Sequence, residues 1–544
     1  MSVAVRRGKK LKSLTSWSWP NLALKAVLGL LVVSAFTWFL AGSLGFRLRS
    51  WREGQVSPYT VYAPFNYTTL EADRSVEIQR GELVVSKGER LTASHVTRLQ
   101  MLDQVQRGTR SGSQWLGAFL LAVIFTAVVS IYLKRYERSV WASPQQIVLI
   151  LVVVGLVLGV GRLMAQSPLN NAWVPVATVS MLLGMLLGPR LGIVLGLLVS
   201  GLIGVMIQAD LALVVGFGVG SVVGAYVVKG IRRRIHFFRA ALIIGLVQAA
   251  AILCAYLVLE WPFLSALENS LTALVSGALS SLITYCLLPL CESLFGLITD
   301  VTLLEMSDLN HPLLKELSVK APGTYHHSIV VANLAESACE AIGANALLAR
   351  VGCYFHDIGK MLHPEYFVEN QPPDVSRHEG LAPSMSSLVI LNHVKDGIKL
   401  AKQYRLNQTI IDFIPGHHGT GLIYYFYRRA LEEMEDEADL KEERFRYPGP
   451  KPHARETAVA LLADSAEAAS RALPEKTPAR IQEVVRRIIN NKFIDGQLDD
   501  CDLTLRDLQK ISEAFIRVLA GIYHSRIEYP RAPGEEADAE SLAG

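Results

Sequence analysis

Eight long apolar stretches constrain this chain more than any other feature. One runs from about Leu22 to Leu44. Seven more follow at about 115–133, 145–164, 173–188, 191–208, 211–229, 239–260 and 270–295. A helix needs about 20 apolar residues to cross a bilayer, and each stretch is near that length. Buried helices of a large soluble protein are the alternative. So many long runs with so few internal charges argue against it, and eight spans are expected.

Composition agrees. Of 544 residues, 51% are hydrophobic and only 19% charged. The length exceeds one ordinary core, so at least two domains are expected. A net charge of +4 is too small to argue for a nucleic-acid polymer as partner. The six cysteines show no CxxC pair, which argues against a disulfide framework or zinc ribbon and for reduced thiols.

The charges between the runs give a topology, because cytoplasmic loops are enriched in Lys and Arg. Residues 1–21 are basic, with Arg6, Arg7, Lys9, Lys10 and Lys12. With this end inside, the inner loops are 134–138, 189–190 and 229–239, the last holding Arg232, Arg233 and Arg234. The outer loops 166–172 and 260–267 hold no Lys or Arg. Eight crossings return the chain to the cytoplasm after about residue 298. Residues 22–44 are read as a retained anchor, although Ala41-Gly42-Ser43 also suits a signal-peptide cleavage site.

Residues 45–113 form a short, polar extracytoplasmic segment. A strand and turn are expected at ELVVSKGERL. A helix follows, with Val96, Leu99 and Leu102 on one face. Gly216, Gly220 and Gly224 recur every four residues, a spacing that lets membrane helices approach closely. The spans lack a set of buried acids or bases, which weighs against a pump or carrier.

From about Val301 the chain changes to a soluble, helix-rich mix. Helices are expected over 324–343, 344–361, 384–404 and 455–473, with little period-two alternation. The acidic run 431–443 reads as a solvated helix or insertion, and 530–544 as a disordered tail. The fold class is therefore all-α: a polytopic helical membrane domain followed by a cytosolic all-helical domain.

This second half concentrates histidines. His327, the His356-Asp357 pair, His393 and the His417-His418 pair stand on expected helices or in a glycine-flanked turn. Asp464 adds a carboxylate, and Lys360 a mobile positive charge three residues after Asp357. One histidine on a helix is usually a packing or surface residue. Several on successive helices fit a convergent site. Mixed imidazole and carboxylate ligands suit Mn, Fe, Co, Ni or Zn better than Mg or Ca.

The order H…HD…H…HH…D, with HDIGK intact, resembles the HD phosphohydrolase superfamily. More specific words surround it: APGTYHHS at 321–328, HVKDG at 393–397, HHGTGLIYYFY at 417–427 and LLADSAEAASR at 461–471. With a multi-span block directly before them, and SKGERLT at 86–92, they resemble the seven-transmembrane HD family of cyclic-di-AMP phosphodiesterases. The resemblance covers about residues 80–528. The segment between the first two spans is short here, whereas that family commonly carries a large extracellular domain there.

The resemblance implies two divalent transition-metal ions, with Mn or Fe favoured. His327, His356, Asp357 and Asp464 would hold one. Asp357 would bridge to a second, held also by His393, His417 and His418. His327 is preferred to His326 because it precedes Ser328 as in the HD pattern. Asp357 and Lys360 are the expected catalytic residues, Lys360 by stabilising charge on a phosphate. The implied activity is hydrolysis of cyclic di-AMP to 5′-pApA.

The expected layout is 1–21 basic cytoplasmic, 22–44 first transmembrane helix, 45–113 extracytoplasmic, 114–298 seven-helix transmembrane, 299–529 cytosolic HD domain and 530–544 tail. Cyclic di-AMP and the lipid bilayer of a bacterial cell membrane are the expected partners, and a homodimer is left open. The competing readings are an HD hydrolase of another cyclic dinucleotide or nucleotide, a non-catalytic nucleotide receptor, and a transporter.

Overall fold

The computed structural model describes residues 22–43, 52–57, 61–63, 66–71, 74–79, 81–86, 88–108, 112–166, 170–207, 211–372, 376–433 and 441–523. The basic N-terminus, the tail and most of the acidic run lie outside them. The chain divides into two compact units, residues 1–299 and 300–544.

In the first unit, α1 (Leu22–Ser43) precedes a small polar segment. There β1 (Val61–Tyr62) pairs antiparallel with β4 (Leu83–Val85), and β2 (Tyr67–Glu71) with β3 (Arg74–Ile78). Helix α2 (Ala93–Gly108) lies against them. Leu99 and Leu102 are buried with Tyr67, Ile78, Val84 and Leu91, and Val96 packs on the same cluster. The expected apolar face of this helix thus covers a miniature core.

Eight helices follow: α3 (Gly112–Tyr136), α4 (Arg138–Ala142), α5 (Pro144–Gln166), α6 (Ala177–Leu186), α7 (Pro189–Met206), α8 (Leu211–Val227), α9 (Ile235–Val258) and α10 (Phe263–Phe295). Six of these, α3, α5, α7, α8, α9 and α10, are long and apolar enough to cross a membrane. The run expected to span at 173–188 is different. Its helix α6 has only 10 residues, about 15 Å at 1.5 Å per residue. A 3-10 turn at Asn171–Trp173 and extended backbone at Val174 delay its start, and Gly188 at φ 117° separates it from α7. Continuous hydrophobicity concealed those two breaks.

Burial sorts the helices. Most residues of α3 are exposed, and α9 carries an exposed apolar set as well; the two include Leu116, Phe119, Ile124, Ile131, Phe238, Leu242 and Leu246. In a span, such a face meets lipid. By contrast, α6 is buried along most of its length. Its polar neighbours are satisfied internally: Ser200 donates to Gly196 O, Ser276 to Val174 O and Ser281 to Phe237 O. Hydroxyl-to-carbonyl bonds of this kind remove the cost of polar groups in a low-dielectric interior. Among the described residues of the spans, no Asp, Lys or Arg is buried.

Helices α9 and α10 cross with their backbones close together. A Cβ on Gly277 would lie 2.7 Å from the Gly245 Cα, and one on Gly245 would lie 2.5 Å from Leu274 O. Gly216 and Gly220 similarly face Ile252 and Gln248, so this glycine ladder serves ordinary close packing.

The second unit is helical: α11 (Asp300–Met306), α12 (Pro312–Lys320), α13 (Pro322–Ile342), α14 (Ala346–Phe355), α15 (Pro383–Gln403), α16 (Gln408–Ile411), α17 (Phe413–Gly416), α18 (Tyr424–Glu432), α19 (Arg455–Arg471), α20 (Pro478–Ile494) and α21 (Leu505–Ile522). Local signals set the ends. Pro322 opens α13, and Gly343 closes it in the left-handed conformation. Thr504 and Asp507 form a capping box at α21. Helix α14 stops at Phe355, although 344–361 read as one helix. Packing overrides the pattern there, because residues Ile358–Leu362 turn as a 3-10 helix onto α15.

The helix crossing gives a direct prediction. Gly277→Val places a side chain into the α9 backbone and should destabilise the detergent-solubilised protein by about 1–3 kcal/mol. Gly155→Ala, where a Cβ meets nothing within 4 Å, should be neutral or slightly stabilising. Thermal unfolding of both variants checks this.

Candidate metal centre

The site is built from five stations brought together in the second unit. His327 comes from the first turns of α13, and His356 and Asp357 from the break after α14. His393 lies mid-way along α15. His417 and His418 follow α17, and Asp464 lies mid-way along α19. Gly359 allows the HDIGK turn to seat. A Cβ there would collide with the backbone carbonyl of His393. Ile358, beside it, is fully buried. Gly419 holds the turn after His418 at φ 55°, and Gln497 Oε1 accepts the Thr420 N–H at 2.8 Å.

Asp357 is the common member of two tetrads. His327, His356, Asp357 and Asp464 form one, and Asp357, His393, His417 and His418 the other. Ligand-type atoms within each lie inside 4.8 Å of one another. The carboxylate divides between them. Oδ2 is 3.2 Å from His356 Nε2 and 3.6 Å from His327 Nε2. Oδ1 is 3.4 Å from His393 Nε2 and 3.6 Å from His417 Nε2. His326, the alternative to His327, is exposed, whereas His327 is buried.

The imidazoles are held from behind. Four rings fix Nδ1 on an acceptor: Glu467 Oε2 at 2.6 Å for His327, Cys353 O at 2.7 Å for His356, Ile390 O for His393 and Phe413 O at 3.0 Å for His417. A fixed Nδ1–H leaves the Nε2 lone pair for the centre and raises its basicity. His418 is held differently. Tyr447 stacks on its ring at 4.0 Å and 20°.

These donors fit cations. His356 Nε2, His417 Nε2 and both Asp357 oxygens are buried without a well-directed hydrogen bond. Such atoms cost free energy unless something completes them. His418 Nε2 stands 3.2 Å from His393 Nε2, and His393 has its N–H committed to Ile390 O. Two divalent transition metals sharing one carboxylate would satisfy all of these groups.

Lys360 was expected to be mobile, and the structure corrects this. Its Nζ lies 2.7 Å from Asp357 Oδ2 and 2.9 Å from Glu369 Oε1, with the side chain 12% exposed. It is clamped between two carboxylates. Glu369, Glu467 and Tyr447 were missed by sequence reasoning. Glu467 had a signal, since it lies three residues after Asp464 on one helix face. Glu369 and Tyr447 sit in irregular segments where spacing carries no such information. His378, by contrast, lies in neither tetrad. Its Nε2 is bonded to Tyr366 O and its ring packs on Phe426.

Charge follows burial and neighbours. Burial alone would push the Asp357 carboxyl up, but Lys360 and His356 outweigh it and hold it well below the usual range. Burial also opposes charge on Lys360, and Asp357, Glu369 and Asp464 overcome it, raising its pKa. Burial lowers His356 and His418, and takes His393 down to about 4. His327 is the exception. Burial disfavours its charge, but Asp464 and Glu467 raise it to about 9.

The chain matches two families: residues 113–299 match "7TM receptor with intracellular HD hydrolase", and residues 324–469 match "HD domain". It belongs to the seven-transmembrane HD family. Seven apolar helices, α3 and α5–α10, fall within the first match. The chain is 34% identical over 473 residues to cyclic-di-AMP phosphodiesterase PgpH of Bacillus subtilis (strain 168), covering 84% of this chain and 66% of that protein. It is 36% identical over 468 residues to the PgpH of Listeria monocytogenes serotype 1/2a (strain 10403S), covering 84% and 64%. The chain thus spans slightly under two thirds of the length of these relatives. A crystal structure of the L. monocytogenes PgpH HD domain in complex with cyclic-di-AMP is 50% identical, covers 40% of this chain and all of that domain, and gives a TM-score of 0.38.

The pKa pattern predicts how the chelated protein responds to pH. His356, His393 and His418 have folded values below the free value of 6.5, so the folded state loses stability as pH falls below 6.5, His393 doing so down to about 4. His327 is raised, so its contribution is complete below 6.5 and is lost as pH rises through about 9. Unfolding of the metal-free full chain between pH 4 and 10 should therefore show greatest HD-unit stability near pH 6.5. A flat profile would contradict the assigned charges.

Proposed function

We propose that this protein is a membrane-anchored, metal-dependent phosphodiesterase that hydrolyses cyclic di-AMP to linear 5′-pApA. The observation carrying the reading is a shared Asp357 whose two oxygens face two separate tetrads. It stands in a chain 34–36% identical to two proteins named as cyclic-di-AMP phosphodiesterases.

The ligand set is His327, His356, Asp357 and Asp464 for one ion, and Asp357, His393, His417 and His418 for the other, with Mn or Fe as the native metal. Two such ions, when bound, would neutralise phosphoryl oxygens and supply an activated water for in-line displacement. The chain's own residues do the positioning. Lys360 keeps Asp357 ionised, and Glu369 holds Lys360 in place. Glu467 orients His327, and the carbonyls of Cys353, Ile390 and Phe413 orient the other rings. No Ser or Cys nucleophile is required. Cys353, one residue from Tyr354 and three from His356, is buried and its thiol is pushed well up, so it remains neutral.

In this reading the basic N-terminus lies inside, followed by a first anchor, a short outer segment, the seven-helix block, and an HD unit in the cytoplasm of a bacterial cell. Arg135, Arg138, Arg190 and Arg232–Arg234 on one set of loops support that orientation. Absence of buried Asp, Lys and Arg among the described span residues favours an anchor or sensor over a carrier.

Full-length protein in detergent with added Mn²⁺ should convert cyclic di-AMP to 5′-pApA faster than it cleaves cyclic di-GMP, a dNTP or an alarmone. The double variant His356→Ala/Asp357→Ala should fall by at least roughly a thousandfold. Equal turnover by both proteins would displace the site, and faster turnover of another substrate would displace cyclic di-AMP.

A further inference from the structure

Around the turn that carries His417 and His418, nearly every described cation already has an anion. Arg446 pairs with Asp495 at 3.1 Å and Glu442 at 2.6 Å, and Lys451 pairs with Asp499 at 3.2 Å. Lys360 is clamped by Asp357 and Glu369. Lys492, in the last turn of α20, differs. Among the described residues it has no ion pair and its ammonium makes no hydrogen bond.

Its position is defined by the turn. A Cβ on Gly421 would lie 3.4 Å from Lys492 Nζ. Gly421 O accepts the Tyr447 N–H at 3.0 Å, and Gly421 N donates to His418 O at 3.0 Å. Lys492 therefore stands at the rim made by Gly421, Tyr447 and His418, beside the second tetrad. Its side chain is half-buried. Burial, the largest influence, pulls its pKa down, while Asp464 and Asp495 act in the opposite direction and Arg446 reinforces the burial. Asp495 is taken by Arg446, and Asp464 belongs to the metal tetrad. Neither is free to neutralise Lys492.

We propose that Lys492 is the anchor for a second phosphate of the substrate, the one that is not being cleaved. The inference rests on the phosphodiesterase reading above. A cyclic dinucleotide carries two phosphodiesters. Only one occupies the centre, and the other reaches the rim still charged. An ammonium is a point charge that suits phosphate. An unpaired one in a desolvated rim gains most from an anion arriving there. Lys492 thus favours substrates with two phosphates over those with one, and it is a positioning residue rather than a catalytic one.

Kinetics of the Mn²⁺-loaded full chain separate these roles, with cyclic di-AMP and bis(p-nitrophenyl) phosphate as substrates. Lys492→Ala should raise the KM for cyclic di-AMP about tenfold more than that for the one-phosphate ester, with kcat changed far less. Lys492→Arg, which keeps the charge, should recover most of the difference. Equal effects on both substrates, or no effect on either, would overturn the assignment. Failure of the wild type on cyclic di-AMP, with the simple ester still cleaved, would instead overturn the substrate reading on which it rests.

Discussion

The carboxylate of Asp357 is the group on which the rest of the HD unit depends. It is fully buried, with histidines of three other stations around it. Such a charge is tolerable only with compensation. Lys360 provides part, and the imidazoles turned toward each oxygen prepare the rest. Bringing His327, His393, His417 and Asp464 to one point requires four helices or helix ends to converge. The helix also breaks after Phe355, and the 3-10 turn that follows seats Gly359 against the His393 carbonyl. The local fold and the donor geometry are thus one constraint.

Much of this was legible in the residues. Apolar length marked the helices of the first unit, and the spacing of histidines with Asp464 marked the stations of the second. Hydrophobicity could not show that α6 is only 10 residues long, because a chain break inside an apolar run leaves composition unchanged. Periodicity could not show the break at His356, because Ile358 and Met361 continue an apolar face. Glu467 was visible in principle at three residues from Asp464. Glu369 and Tyr447 were not, since both come from segments whose path is set by tertiary contacts. Lys360 illustrates the same gap: sequence gave its charge but not its two carboxylate partners.

The first unit contributes different physics. Its outward helices present apolar side chains, while its inner helices approach through glycine and satisfy their hydroxyls on backbone carbonyls. Buried acids and bases, which would mark a transport route, are confined to Glu292 among the described residues of 112–299, where its carboxylate accepts the Thr299 N–H at 2.8 Å. Charge chemistry is concentrated instead in the second unit, around a single shared carboxylate.

Metal stoichiometry of purified single-site variants tests that central role most directly. Elemental analysis of the wild type, loaded with Mn²⁺ and freed of excess metal, should give two ions per chain. Asp464→Ala and His417→Ala should each retain about one, and Asp357→Ala should retain essentially none. Retention of one ion by Asp357→Ala, equal to the other two variants, would contradict a shared carboxylate.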